Sequence, residues 1–200
     1  MKIGILGFQG GVYEHVGMLK RIFSEEKYSG ETIIVRRGGE LSKVDGIILP
    51  GGESTTIGIL MDRMGLTGEL RDRIRGGLPV LGVCAGAVLM AKKVVDKVVG
   101  EKEQNTLSVM DIGVIRNYFG RQIDSFEVDL HIPVIGEKPF RGVFIRAPVF
   151  ERLNNNVEIL AKVGEASVAV LQNNMLTLAF HPELTNDYRL HLLFLEMIKK

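Results

Sequence analysis

Four short apolar runs, Ile3 to Leu6, Ile33 to Val35, Ile47 to Leu49 and Val80 to Val83, punctuate the first half of this chain. Each is too short for a buried helix, and Gly or Pro bounds them. Runs that are apolar throughout are strands buried on both faces, which requires a mostly parallel central sheet flanked by helices. Between them, Val12, Val16, Leu19 and Phe23 recur at helical spacing, as do Ile57, Leu60, Met61 and Met64. Gly65 and Gly76 are placed to stop helices.

The second half changes character. Ser125 to Val134 alternates Phe126, Val128, Leu130 and Ile132 with Glu127, Asp129 and His131, which predicts an antiparallel strand with one wet face. Val168 to Leu171 and Met175 to Phe180 flank Asn173-Asn174, a pair suited to a tight hairpin. Leu190, Leu193, Phe194, Met197 and Ile198 form the inner stripe of a closing helix from about Asp187. The fold class is therefore α/β, with an added antiparallel portion in the second half. At 200 residues, with no repeat and no linker, residues 1–200 are read as a single domain. The charged stretch from Asp96 to Gln104 is the candidate mobile loop.

Composition removes several functional classes. Lys and Arg number 25 against 24 acidic residues, so nothing marks a nucleic-acid or anionic-lipid surface. The longest uncharged stretches, Gly76 to Ala91 and Ala166 to Pro182, fall short of the ~20 apolar residues of a membrane span. The start, Met1-Lys2 followed by an apolar run, has no cleavage pattern behind it. One cysteine forms no internal disulfide, which suits a reducing compartment, and the expected location is the cytoplasm. No thiol or imidazole pair stands at ligand spacing, so neither a metal nor a cofactor is expected.

That cysteine carries the chemistry. Gly82-Val83-Cys84-Ala85-Gly86 joins a buried strand, Pro79 to Val83, to a predicted helix, Ala85 to Lys93, with the spacing of a nucleophile elbow. Such a turn crowds the backbone, so small residues flank the nucleophile and the sulfur is pushed above the sheet edge. At a helix N-terminus the dipole and the unpaired N–H groups favour a thiolate, and the Ala85 N–H faces the place where an oxyanion would form. A lone Cys is otherwise a small buried hydrophobe. The base candidate is His181, in Phe180-His181-Pro182-Glu183-Leu184. In extended chain, residues two apart project to one side, so Glu183 can hold the second ring nitrogen. His15, His131 and His191 have no such companion in the sequence and are read as structural or solvated.

Leu49-Pro50-Gly51-Gly52-Glu53-Ser54-Thr55-Thr56 also links a strand to a helix. Its glycines let the Gly52 N–H approach a ligand as the second oxyanion donor, with Glu53 and Ser54 able to meet an amino-acid head group. An ordinary Gly-rich turn with Ser54 as N-cap is the alternative. Neither this loop nor Gly7-Phe8-Gln9-Gly10-Gly11 has a phosphate-loop or dinucleotide fingerprint.

Together with Glu14-His15, Arg116-Asn117-Tyr118-Phe119-Gly120-Arg121-Gln122, Ser125-Phe126-Glu127, Phe144-Ile145-Arg146-Ala147-Pro148 and Thr185, these strings span nearly the whole chain. The chain resembles class I glutamine amidotransferases, and within them the family of glutaminase subunits of pyridoxal 5'-phosphate synthase. The resemblance implies a flavodoxin-like three-layer fold. It implies Cys84 as nucleophile, His181 as base and acid and Glu183 as its orienter, with L-glutamine held by Gly52, Glu53, Ser54, Arg116, Ile145 and Arg146. An Arg in a strand is more often a surface charge, so for Arg116 and Arg146 the resemblance supplies most of the assignment. It also implies a barrel-shaped synthase subunit as partner, in a large hetero-oligomer. Ammonia set free in neutral water would be protonated and inert as a nucleophile, which calls for its direct delivery. A glutaminase subunit of another pathway, a non-glutaminase cysteine hydrolase of the same architecture, and a non-catalytic binding module remain as alternatives.

Overall fold

The computed structural model describes residues 1–97, 100–101, 104–119 and 125–199. Its first half runs β1 (Lys2–Leu6), α1 (Val12–Glu25), β2 (Glu31–Val35), α2 (Gly38–Leu41), β3 (Gly46–Leu49), α3 (Ser54–Arg63), α4 (Leu66–Arg75), β4 (Val80–Val83) and α5 (Ala85–Met90). There follow β5 (Ala91–Asp96), β6 (Gly100–Glu101), β7 (Met110–Arg116), β8 (Ser125–Leu130), β9 (Phe140–Ile145), β10 (Val149–Arg152), β11 (Glu158–Val163), β12 (Ala166–Gln172), β13 (Met175–Leu178) and α6 (Arg189–Lys199).

An eleven-stranded sheet has the order β2-β1-β3-β4-β13-β12-β10-β7-β5-β6, with β11 paired to β12. The five strands from β2 to β13 are parallel, with β2 at the sheet edge, and β1, β3 and β4 read in the sequence as apolar runs because both their faces are covered. Helices α1 and α6 pack together on one face, and α2 to α5 form the other layer. This is what right-handed crossovers give when the strand order reverses at β1. The antiparallel portion, from β13 outward and in the separate β8–β9 ribbon, lies in the second half as expected.

Register decides where chemistry can occur. Leu49 pairs with Gly82 and Leu178 with Val83, so β3, β4 and β13 end level with one another. Ile5 of β1 pairs with Ile48. The loops after these four strands, each opening at a carboxyl end, therefore meet at one edge, where open α/β sheets bind ligands. An aromatic stack ties the β8–β9 ribbon to that edge, with Phe126 on Phe144 at 4.6 Å and Phe144 against Phe180 at 5.4 Å.

Three local expectations are corrected. The helix after Cys84 ends at Met90, short of Lys93, because the Leu107 and Val109 N–H groups bond the Leu89 and Met90 carbonyls and draw the chain out into β5. The alternating strand stops at Leu130, short of Val134, since Pro133 opens a 3-10 turn. The N-cap of α3 is Glu53, whose carboxylate accepts from the Thr56 N–H at 3.1 Å, and Ser54 is the first helical residue. The candidate mobile loop, 96–104, includes residues 98–99 and 102–103, which lie outside the described residues, as do Gly120, Arg121 and Gln122. Its described portions form the end of β5 and, in β6, the strand paired with it. Among the described residues no helix is long and apolar enough to cross a membrane.

Candidate active site

Cys84 sits at φ 48° and ψ −100°, a region that costs of order 1–3 kcal/mol and is retained where its surroundings enforce it. The enforcement is visible. A side chain at Gly86 would overlap the Leu49 carbonyl oxygen, and one at Gly82 would meet Met90 Sδ at 2.6 Å, so α5 presses directly on β3 and β4. The Cys84 N–H bonds the Leu178 carbonyl at 2.8 Å, which ties the elbow to β13. Its sulfur faces the Ile145 carbonyl at 4.0 Å and is partly open to solvent.

His181 arrives three residues beyond the end of β13, with its N–H on the Val143 carbonyl at 2.8 Å. Its Nδ1 donates to Glu183 Oε1 at 2.7 Å, and the imidazole is hydrogen-bonded to Cys84 through the nitrogen that remains. Burial alone would lower the His181 pKa. The hydrogen bonds to Cys84 and Glu183, and the negative charge of both, outweigh it and raise the value to about 10. At neutral pH the ring is an imidazolium held between a sulfur and a carboxylate. Gly51 completes the cradle, since any side chain there would occupy the place of the His181 ring.

The Gly51 carbonyl accepts from the Gly11 N–H at 3.1 Å. The peptide is trans, so the Gly52 N–H points opposite to that carbonyl, away from the Gly11 N–H. Ala85 N–H is the first of α5, a donor that intrahelical bonding leaves unused.

A cavity of about 660 Å³ opens over the sulfur. Gly52, Glu53, Ser54, Cys84, Ala85, Arg116, Ile145, Arg146 and His181 all line it, so the structure brings together every site residue read from the sequence except Glu183. Glu183 lies behind His181, its side chain 1% exposed, as an orienting residue should. Arg116 is ion-paired with Glu53, Nη2 to Oε1 at 3.3 Å, which gives this wall adjacent positive and negative charges for a zwitterion.

Two features escaped the sequence reading. Gln9 lines the cavity, and its Oε1 accepts from the Glu53 N–H at 2.7 Å, bridging the loops after β1 and β3. The signal was the Gly-rich turn after β1, placed like that after β3. His15 and His191, read as without companions, are fully buried against each other, and His15 also stands beside Glu183. His131 is exposed, in agreement with its reading.

The buried pair carries a pH dependence. Burial foremost holds His15 well below 6.5, helped by charge on His191 and His181, and burial brings His191 to about 4. Below pH 6.5 the unfolded chain takes up a proton that folded His191 refuses until about pH 4. Its contribution is thus complete above 6.5 and lost as pH falls to 4, by roughly 3 kcal/mol. His181 runs oppositely, stabilising below 6.5 and losing that effect as pH rises through about 10. Melting temperatures from pH 7 to pH 4 should fall more gently in His191→Gln than in the unaltered chain. Parallel curves would show that His191 is not held neutral.

Comparison with known proteins gives consistent matches. Residues 5–200 match the model of the SNO glutamine amidotransferase family. The chain is 53% identical to pyridoxal 5'-phosphate synthase subunit PdxT of Staphylothermus marinus and 49% identical to that of Aeropyrum pernix, covering 100% of both chains in each case. A crystal structure described as a glutamine amidotransferase superposes with a TM-score of 0.87 at 46% identity, over 99% of both chains.

Proposed function

The chain belongs to the SNO glutamine amidotransferase family, and from that membership we propose that it hydrolyses L-glutamine with Cys84, His181 and Glu183 as its catalytic triad. It is the glutaminase subunit of pyridoxal 5'-phosphate synthase, and its full-length relatives are named subunit PdxT of that enzyme. The observation that carries the residue assignment is the His181 ring, bonded to Glu183 at 2.7 Å on one side and to Cys84 on the other, at the mouth of a cavity lined by cations, a carboxylate and glycine backbone.

The Cys84 thiolate attacks the side-chain amide carbon of glutamine. The Gly52 and Ala85 N–H groups receive the oxyanion, and the His181 imidazolium gives its proton to the departing ammonia. Neutral His181 then takes a proton from water as water cleaves the thioester, and glutamate leaves. Glu183 remains ionised and holds the ring in place through both steps. Arg116 and Arg146 take the substrate α-carboxylate, Glu53 takes the ammonium, and Ser54 and Ile145 complete the wall.

The chain acts as one domain, residues 1–200, in the cytoplasm. It assembles with the synthase subunit, a barrel protein, in a hetero-oligomer that passes ammonia across without release to water. Glutamate release measured with and without the synthase subunit tests this. Turnover should rise in the mixture, and glutamine left intact there would refute the reading. Arg146→Ala and Arg116→Ala should each raise KM for glutamine roughly tenfold to a hundredfold, the worth of one charge-assisted contact. An unchanged KM in both would move the carboxylate site elsewhere.

A further inference from the structure

Behind the triad lies a second layer of titratable side chains that the proposed reaction leaves unused. Glu183 Oε1 is bonded to His181, whereas Oε2 has no hydrogen-bond partner among the described residues. His15 Nε2, equally without one, stands 3.7 Å from Oε2, with side chains 0% and 1% exposed. On its other side His15 Nδ1 meets His191 Nε2 at 3.0 Å. His15 belongs to α1 and His191 to α6, two helices that pack on one another and so fix the pair from outside the catalytic loops.

Only one hydrogen can occupy the His15–His191 contact, so two neutral arrangements exist. If His15 Nδ1 carried it, His15 Nε2 would turn a lone pair toward a carboxylate oxygen, and the His191 Nδ1–H would be a buried donor without an acceptor. If His191 Nε2 carries it, His15 keeps its hydrogen on Nε2, aimed at Glu183 Oε2, and His191 Nδ1 is left as a bare acceptor. The first places two acceptors face to face out of water, which is the costlier choice. At 3.7 Å the pair is beyond hydrogen-bond length, and a small rotation of either side chain closes it.

We infer that His15 is a positioning residue of the catalytic triad: its Nε2–H holds the second oxygen of Glu183, and His191 sets the tautomer that makes this possible. The carboxylate is then gripped at both oxygens, which fixes its plane and with it the direction of the imidazole toward Cys84. Both outer rings stay neutral at working pH, because burial excludes a second proton. They therefore contribute orientation without adding charge. This inference rests on the triad assignment, but the two fail separately: a wrong triad shows as an active Cys84→Ala, whereas a wrong outer layer leaves that variant dead.

The test pairs amide substitutions that copy one ring nitrogen each. Glutamine places its side-chain nitrogen near the imidazole Nε2, and asparagine places its own near Nδ1. Steady-state glutaminase assays in the complex with the synthase subunit should find kcat lowered roughly tenfold to a hundredfold in His15→Leu and His15→Asn, the usual cost of removing such a supporting partner. KM should stay within about twofold, and His15→Gln should restore most of kcat. In the unaltered chain, ¹⁵N NMR of the histidine rings should show His15 protonated at Nε2 and bare at Nδ1. Equal kcat loss in all three variants would mean that His15 only fills space. A kcat within twofold of normal in His15→Leu, or a His15 ring bare at Nε2, would overturn the proposal whatever the variants' stability.

Discussion

Cys84→Ala is expected to abolish glutamine hydrolysis, with a loss of roughly 10⁴-fold or more when the synthase subunit is present. That is about 5.5 kcal/mol of transition-state stabilisation. The loss is this large because nucleophile, base and orienter act as a unit: without the sulfur no thioester forms, and the oxyanion donors are left to act on a water reaction. The fold should survive. The elbow geometry is imposed by the close approach of α5 to β3 and β4 and by the Cys84 N–H bond to Leu178, neither of which involves the thiol. His181 gives a second readout in the same variant. With one of its two anionic neighbours gone, burial regains weight and its pKa should drop from about 10. Glutamate release within tenfold of normal, or an unmoved His181 titration, would remove Cys84 from the mechanism.

Gly86→Ala should be among the most damaging single-methyl additions in the chain. Its Cβ would fall on the Leu49 carbonyl oxygen, and backbone on both sides leaves nothing flexible to yield. Overpacking of this kind costs about 3 kcal/mol, which at this chain length lowers the melting temperature by roughly 6–12 °C. Relief requires α5 to slide away from β3, carrying the Ala85 N–H and the Cys84 sulfur with it. A displacement near 1 Å at reacting groups costs about 10²-fold, so turnover should fall at least that far even below the melting temperature. Gly17→Ala is the control. It sits in α1 with nothing within 4 Å of the new methyl and should stabilise by about 0.5–1 kcal/mol. Equal stability in the two variants would mean that the elbow is not packed as described.

The central parallel strands were legible because burial on both faces leaves only one kind of residue in them, as in Ile47-Ile48-Leu49. Cys84, His181 and Glu183 were legible because each belongs to a local pattern whose geometry is fixed within three to five residues. What could not be read depends on partners far along the chain. The end of α5 at Met90 is set by Leu107 and Val109, and the cap of α3 by a Glu53 whose backbone is itself held by Gln9. His15 meets His191 across 176 positions, a distance at which no spacing rule operates. The hydrogen-bonded pairing of β7 with β5 and β10 is likewise a tertiary outcome, invisible in runs as short as Met110–Arg116.

Strand β13 is the last to be synthesised, yet it lies at the middle of the sheet, inserted between β4 and β12 and fixing both the elbow and the histidine loop. A nascent chain can lay down β1 to β4 and still possess no working centre, because the imidazole and its carboxylate follow only after that insertion. Pairing residue 83 with residue 178 is a closure over long sequence distance, which places it among the slow steps of folding. Chains truncated before β13 are therefore expected to lack glutaminase activity, because they lack His181 and Glu183.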